Sequence, residues 1–83
     1  MDTLARVKNI LRDTLSLGER ADRLTRDSQL LGGIPEFDSM AVVTVLTMVE
    51  DELGIQVDDD ELSADVFASV GTLVDFIEGK LAG

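Results

Sequence analysis

The stretch Gly33-Ile34-Pro35-Glu36-Phe37-Asp38-Ser39-Met40-Ala41-Val42-Val43-Thr44-Val45-Leu46-Thr47-Met48-Val49-Glu50-Asp51-Glu52-Leu53-Gly54 decides the fold. Pro35 closes off any regular structure before it, and Asp38-Ser39 stands where a helix begins. From Ser39 the chain runs without a charge until Glu50. Val42, Val43, Val45 and Val49 are β-branched and would also suit a strand. The length of the run and its polar end, Glu50-Asp51-Glu52, decide for a helix over 39–53. Its apolar stripe is expected along Met40, Val43, Leu46, Val49 (or Thr47) and Leu53. Gly54 ends it, because glycine takes up the left-handed conformation at low cost.

Two further helices flank this one. Residues 3–15 place Leu4, Val7, Leu11 and Leu15 on one face with Ile10 beside them, with Asp2 or Thr3 as the cap and Gly18 just past the end. The last helix starts after Ser69, a good cap, and is expected to bury Val70, Leu73, Val74, Ile77 and Leu81. Between helices, Leu62, Val66 and Phe67 suit one or two helical turns over 62–68. The connection from Ser16 to Asp38 is long, which counts against the element assignment or signals function. It carries Leu17, Ala21, Leu24, Leu30, Leu31, Ile34 and Phe37, enough to pin it onto the bundle, and Ala21 with Leu24 suits a short helix of its own. The expected fold is all-α, a small bundle of three main helices plus one short helix with a long first loop.

Composition agrees with this and narrows the chemistry. A chain of 83 residues holds one domain, here 1–83. Hydrophobic residues make up 45% and aromatics only 4%, so the core is built from aliphatic side chains, as suits packed helices. With no His and no Cys, catalytic triads, disulfides, thiolate nucleophiles and the usual zinc sites are excluded. The net charge of −10 argues against nucleic acid, which demands a Lys/Arg surface. No stretch approaches the roughly 20 apolar residues that cross a bilayer. Met1-Asp2-Thr3-Leu4 lacks the basic-then-apolar pattern of a signal peptide, so a cytoplasmic protein without membrane insertion is expected.

The charge is uneven. Residues 1–26 carry six basic and four acidic side chains, a net of +2, whereas residues 27–83 carry one basic (Lys80) and thirteen acidic, a net of −12. Such a half would steer a partner with a basic surface, although solvated helix ends and loops also carry charge runs. The run Asp58-Asp59-Asp60-Glu61 invites a calcium reading, but counting from Asp58 an EF-hand needs Gly at the sixth position and Glu at the twelfth, where Ser63 and Ser69 stand. No metal site is expected.

Asp38 and Ser39, taken alone, would be read as helix caps. Their surroundings point further. Asp38-Ser39-Met40 opens a helix that ends in Glu50-Asp51-Glu52-Leu53-Gly54-Ile55. An amphipathic helix and a long loop with Asp27 precede it, and Gly54-Ile55-Gln56-Val57, the acidic loop and Ser69-Val70-Gly71-Thr72-Leu73-Val74-Asp75-Phe76-Ile77 follow. In that order the chain resembles the acyl carrier protein family over most of its length. The resemblance implies a four-helix carrier domain, not an enzyme, with a 4′-phosphopantetheine arm from coenzyme A on Ser39 and with Asp38 and Met40 as the flanking motif. It implies as partners a phosphopantetheinyl transferase, an acyl-activating ligase or acyltransferase, and a downstream acyl-using enzyme, each meeting a monomer. Val43 and Thr44 would line the face beside the arm, and Glu50, Asp51 and Glu52 would attract partners from farther away.

The departures from the family pattern are informative. Glu36 replaces the usual Gly, Met40 the usual Leu, and Ala41 and Thr44 stand where fatty-acid synthase carriers commonly have acids. Their absence points away from those carriers. The approach Leu30-Leu31-Gly32-Gly33-Ile34-Pro35-Glu36-Phe37 and the run Met40-Ala41-Val42-Val43 look most like the specialised carriers of exosortase (PEP-CTERM) gene clusters. An aminoacyl or peptidyl carrier with the same arm is the near alternative. An acidic helical adaptor without a prosthetic group is the alternative from another class.

Overall fold

Two aspartates start the first two helices by the same device. In the computed structural model, which describes residues 2–35, 37–61 and 63–82 (backbone only at 59), α1 spans Thr3–Leu15 and α2 spans Ser39–Leu53. The Asp2 carboxylate accepts the Ala5 N–H at 2.8 Å, and the Asp38 carboxylate accepts the Ala41 N–H at 2.9 Å. Each satisfies a backbone donor that the helix leaves unpaired. Both helices end on a left-handed residue, Ser16 (φ 54°) after α1 and Gly54 (φ 66°) after α2. Ser69 caps α3, Val70–Ala82, by accepting the Thr72 N–H on its hydroxyl at 3.2 Å.

α1 packs against both α2 and α3. It contributes Val7, Ile10, Leu11 and Leu15 to the core, as its periodicity predicts, with Leu4 at the margin. α3 contributes Val70, Leu73, Val74 and Ile77; Leu81, expected with them, is instead exposed in the last turn, beyond the packed part of the bundle. Of the stripe expected on α2, Val49 is buried and Leu46 and Leu53 pack against the core, but Met40 and Val43 do not join them. Ala41, Val45 and Val49 face the core, while Met40 and Val43 face solvent at 76% and 61% exposure. Nearly every position in the first three turns of α2 is apolar or uncharged, so two stripes of the same helix compete. Packing against α1 selects the narrower one.

The described residues of the long first loop are anchored at several points. A 3₁₀ helix over Gly18–Arg23 buries Ala21 and leads to Leu24, where a short helix was expected. Leu17, Leu30 and Phe37 are buried, and Leu24 and Ile34 pack against the core. Beyond it the loop runs beside the segment that leads into α3. Val70 N–H donates to Ser28 O at 2.9 Å and Gly71 N–H to Arg26 O at 2.8 Å, while Leu30 and Leu31 donate to Ala68 O and Phe67 O at 3.1 Å. The approach at Gly71 leaves no room for a side chain, since a Cβ there would lie 2.8 Å from Arg26 O.

The segment between α2 and α3 is a 3₁₀ turn, Asp59–Glu61, followed by turns in which the amides of Val66 and Phe67 donate to Ser63 O and Ala64 O at 3.1 and 3.2 Å. These successive turns occupy the place of the expected short helix; Leu62, one of its apolar residues, lies outside the described residues. Among the described residues there is no strand, only an isolated bridge between Gln29 and Ser69. No described helix is long and apolar enough to cross a membrane.

Candidate functional site

With Asp38 as the N-cap, Ser39 becomes the first residue of α2 and is relieved of any capping duty. It is exposed, and among the described residues its hydroxyl has no hydrogen-bond partner. The Val42 N–H returns to Asp38 O at 3.0 Å and the Ala41 N–H goes to the Asp38 side chain, so this turn is held from the backbone and from one carboxylate. The N–H groups of Ser39 and Met40 lie at the positive end of the helix, with no hydrogen-bond partner among the described residues. An exposed hydroxyl beside orphan donors and a positive helix end suits a group that brings a phosphate.

Beside Ser39 lies an apolar groove of about 360 Å³, lined by Leu31, Ser39, Val42, Ser63, Ala64 and Phe67. Its volume sits near the lower end of the range typical of small-molecule sites, roughly 300–1,000 Å³. Phe67 is buried and packs on Phe37 with ring centroids 5.9 Å apart, joining the groove floor to the residues just before Ser39. The hydroxyl, the helix end and the groove together fit a phosphate-linked arm that carries an apolar cargo. The long loop supplies Leu31, and the turns after α2 supply Ser63, Ala64 and Phe67. Reading the sequence picks out Leu31 and Phe67 as packing residues but misses the groove, because nothing local in the sequence says that they meet beside Ser39.

The other candidate residues fall into two groups. Met40, Val43 and Thr44 share the exposed side of α2 near Ser39, with the Thr44 hydroxyl donating to Met40 O at 3.1 Å. Glu50, Asp51 and Glu52 lie at the opposite end of the helix, about 17–20 Å along its axis at 1.5 Å per residue. Glu50 is half-buried and its carboxylate accepts the Val57 N–H at 2.9 Å, so it braces the turn out of α2. Asp51 is exposed. Glu52 borders a polar groove between α1 and α2 with Arg6, Asn9, Arg12 and Asp13. Of the acidic loop, Glu61 is engaged by Lys80, whose ammonium lies 2.7 and 2.8 Å from its two oxygens. That ion pair, with the Asp58 N–H donated at 3.2 Å, holds the Glu61 carboxyl below the ordinary carboxylate value. Among the described residues no three potential metal ligands come together.

Comparison with known proteins agrees with this geometry. The family described as "Phosphopantetheine attachment site" matches residues 5–77. An acyl carrier protein of Thermotoga maritima is 30% identical over 80 residues, covering 96% of this chain and 93% of its own. The solution NMR structure of a holo acyl carrier protein from Nitrosomonas europaea superposes with a TM-score of 0.93 at 53% identity, covering all of both chains. Fold, site and relatives converge: the chain belongs to the acyl carrier protein family, as a carrier with a 4′-phosphopantetheine prosthetic group and not as an enzyme.

Proposed function

We propose that Ser39 is the residue that bears the arm, and that the chain, one carrier domain over 1–83, works as a monomer in the cytoplasm, passing an acyl group between partner enzymes. The observation that carries this reading is the division of labour at the start of α2. Asp38 does the capping, which leaves the Ser39 hydroxyl exposed, without a partner among the described residues, and at the mouth of an apolar groove. Ser16, Ser28, Ser63 and Ser69 have no such setting. Ser16 is a C-cap, the Ser28 hydroxyl accepts the Thr25 N–H, and the Ser69 hydroxyl caps α3. Ser63 lines the groove but does not open a helix.

When bound, the arm supplies a terminal thiol on which cargo rides as a thioester. This chain's residues do the rest of the carrier's work. Ser39 offers its hydroxyl, and a phosphopantetheinyl transferase brings the base and magnesium. The N–H groups of Ser39 and Met40 and the positive end of α2 favour the phosphodiester. Leu31, Val42 and Phe67 offer an apolar wall that keeps water from the cargo.

The partners beyond the transferase are an acyl-activating ligase or acyltransferase and an acyl-using enzyme. We propose that they belong to a specialised pathway, most like that of the exosortase (PEP-CTERM) carriers. The surface around Ser39 supports this reading. Met40 and Val43 are exposed, Ala41 and Thr44 stand where acids are usual, and no charge occurs on α2 before Glu50. A partner fitted to that surface makes apolar contacts near the arm, with Asp51 and Glu52 as distant attractors.

The test uses the absence of cysteine. After incubation with coenzyme A and a broad-specificity transferase, a thiol reagent should titrate one thiol per chain, where the untreated protein shows none. An untreated-like result after incubation would refute the carrier assignment and leave the adaptor alternative.

A further inference from the structure

The groove beside Ser39 has one wall, Ser63 to Phe67, that belongs to neither α2 nor α3 and must be held in place from its two ends. At the far end, Leu30 and Leu31 donate backbone hydrogen bonds to Ala68 and Phe67 at 3.1 Å. At the near end, Glu61 stands two residues before Ser63, and Lys80 of α3 grips its carboxylate with contacts of 2.7 and 2.8 Å. The pair is partly sheltered, with side-chain exposures of 28% and 31%. Lys80 is the one cation among residues 27–83, so the acidic half of the chain holds no other cation to replace it.

We propose that the Glu61–Lys80 ion pair is a latch that holds the groove wall against α2, and so determines whether the groove shelters a cargo chain carried from Ser39. This rests on the attachment of the arm at Ser39. Lys80 is a positioning residue: it acts on the cargo only through Glu61 and the turns that follow. With the latch released, the hydrogen bonds left to this wall among the described residues lie at its Val66–Phe67 end, where the Thr72 hydroxyl donates to Val66 O at 3.0 Å, and Ser63 and Ala64 swing away from Val42. The chain then meets water, and its thioester loses protection.

The experiment compares wild type, Lys80→Met, Lys80→Arg and Glu61→Gln, all checked for native helicity. Lys80→Met keeps the aliphatic stem and removes the charge; Lys80→Arg keeps the ion pair. The first readout is hydrogen exchange of the Val66 and Phe67 amides in the unmodified proteins. It should quicken about fivefold in Lys80→Met and Glu61→Gln, the upper range for a partly exposed ion pair, and stay near wild type in Lys80→Arg. The second readout uses proteins given an octanoyl arm from octanoyl-coenzyme A by the transferase. Hydroxylamine nitrogen attacks the thioester carbonyl, the C–S bond breaks, and hydroxamate and free thiol are released. That cleavage should quicken in the same two variants and not in Lys80→Arg. Unchanged exchange in Lys80→Met and Glu61→Gln would overturn the latch. Quickened exchange with unchanged cleavage would overturn its role in sheltering cargo. If wild type accepts no octanoyl arm, the attachment reading fails and the sheltering role with it, while the exchange comparison still decides whether the pair holds the wall.

Discussion

Replacing Gly71 by alanine should destabilise the protein, although the same change at Gly79, eight residues along the same helix, should not. Both glycines lie in α3, where alanine is intrinsically favoured by up to about 1 kcal/mol. At Gly79 nothing lies within 4 Å of the added Cβ, so the propensity gain stands alone. At Gly71 the Cβ would sit 2.8 Å from Arg26 O and 3.2 Å from Arg26 Cβ. Arg26 O cannot retreat cheaply, because it accepts the Gly71 N–H at 2.8 Å. Overpacking costs roughly 1–3 kcal/mol, and a weakened hydrogen bond about 1 kcal/mol more. Subtracting the propensity gain leaves Gly71→Ala destabilised by about 1–3 kcal/mol. For a domain of this size each kcal/mol moves the midpoint by about 4–8 °C. Thermal and urea unfolding followed by circular dichroism should therefore place Gly71→Ala below wild type and Gly79→Ala at or above it. A Gly71→Ala midpoint equal to or above that of Gly79→Ala would refute the claim that the first loop is clamped at Arg26.

Three further outcomes follow from the site and its supports. Asp38→Ala should cost about 1 kcal/mol of stability through the lost cap, measured by urea midpoint at constant m-value. The Glu61 carboxyl is held below its ordinary value of 4.5, first by the Lys80 hydrogen bond and then by the Asp58 N–H. A depressed folded-state value means that this contribution is present above 4.5 and is lost as pH falls through the lower folded-state value. Wild type should therefore lose midpoint more steeply than Lys80→Met on acidification below pH 4.5, and parallel curves would contradict the assignment. Val43→Asp, on the exposed face beside Ser39, should leave the midpoint within about 0.5 kcal/mol of wild type. It should slow modification by the transferase, read as a raised KM; an unchanged KM would remove this face from the contact.

Much of the architecture is legible in the chain because its helices carry local signals. Asp2, Asp38 and Ser69 mark the starts, Gly54 marks an end, and the stripe of α1 stands out against Arg6, Lys8, Asn9 and Arg12. The face of α2 is not legible for the opposite reason. Met40 to Val49 offers apolar side chains on every side; periodicity places Val49 inside correctly, but in the first two turns it cannot choose Ala41 and Val45 over Met40 and Val43. That ambiguity has the same physical source as the proposed partner surface, since a helix near-uniformly apolar around Ser39 leaves Met40 and Val43 outside. The hydroxyl at Ser39 and its aspartate neighbour are readable from their place at a helix start. The groove, the pairing of residues 26–31 with 67–71, and the Glu61–Lys80 pair depend on contacts between segments far apart in sequence, which no local pattern records. Glu50 shows the same limit: in sequence it groups with Asp51 and Glu52 as a surface acid, and in the fold it holds the Val57 amide.

The structure also constrains how acids could be placed on α2 beside Ser39. Ala41 is buried at 9% exposure beside the Asp38 carboxylate, so Ala41→Asp would drive a second charge toward the core. Thr44 is exposed, so Thr44→Glu should cost the fold little. The apolar character of the face is thus partly built into the packing of α2, and only its outer half is free to vary without cost to the fold.

One hydroxyl, that of Ser39, is proposed to bear the arm. Intact mass after incubation with coenzyme A and transferase tests it most directly when wild type and Ser39→Ala are run together. Ser39 is exposed and caps nothing, so the variant should unfold at nearly the wild-type midpoint, and its failure to react cannot be blamed on misfolding. Wild type should gain one phosphopantetheine and Ser39→Ala none. An addition that persists on folded Ser39→Ala would contradict this assignment and move the site elsewhere.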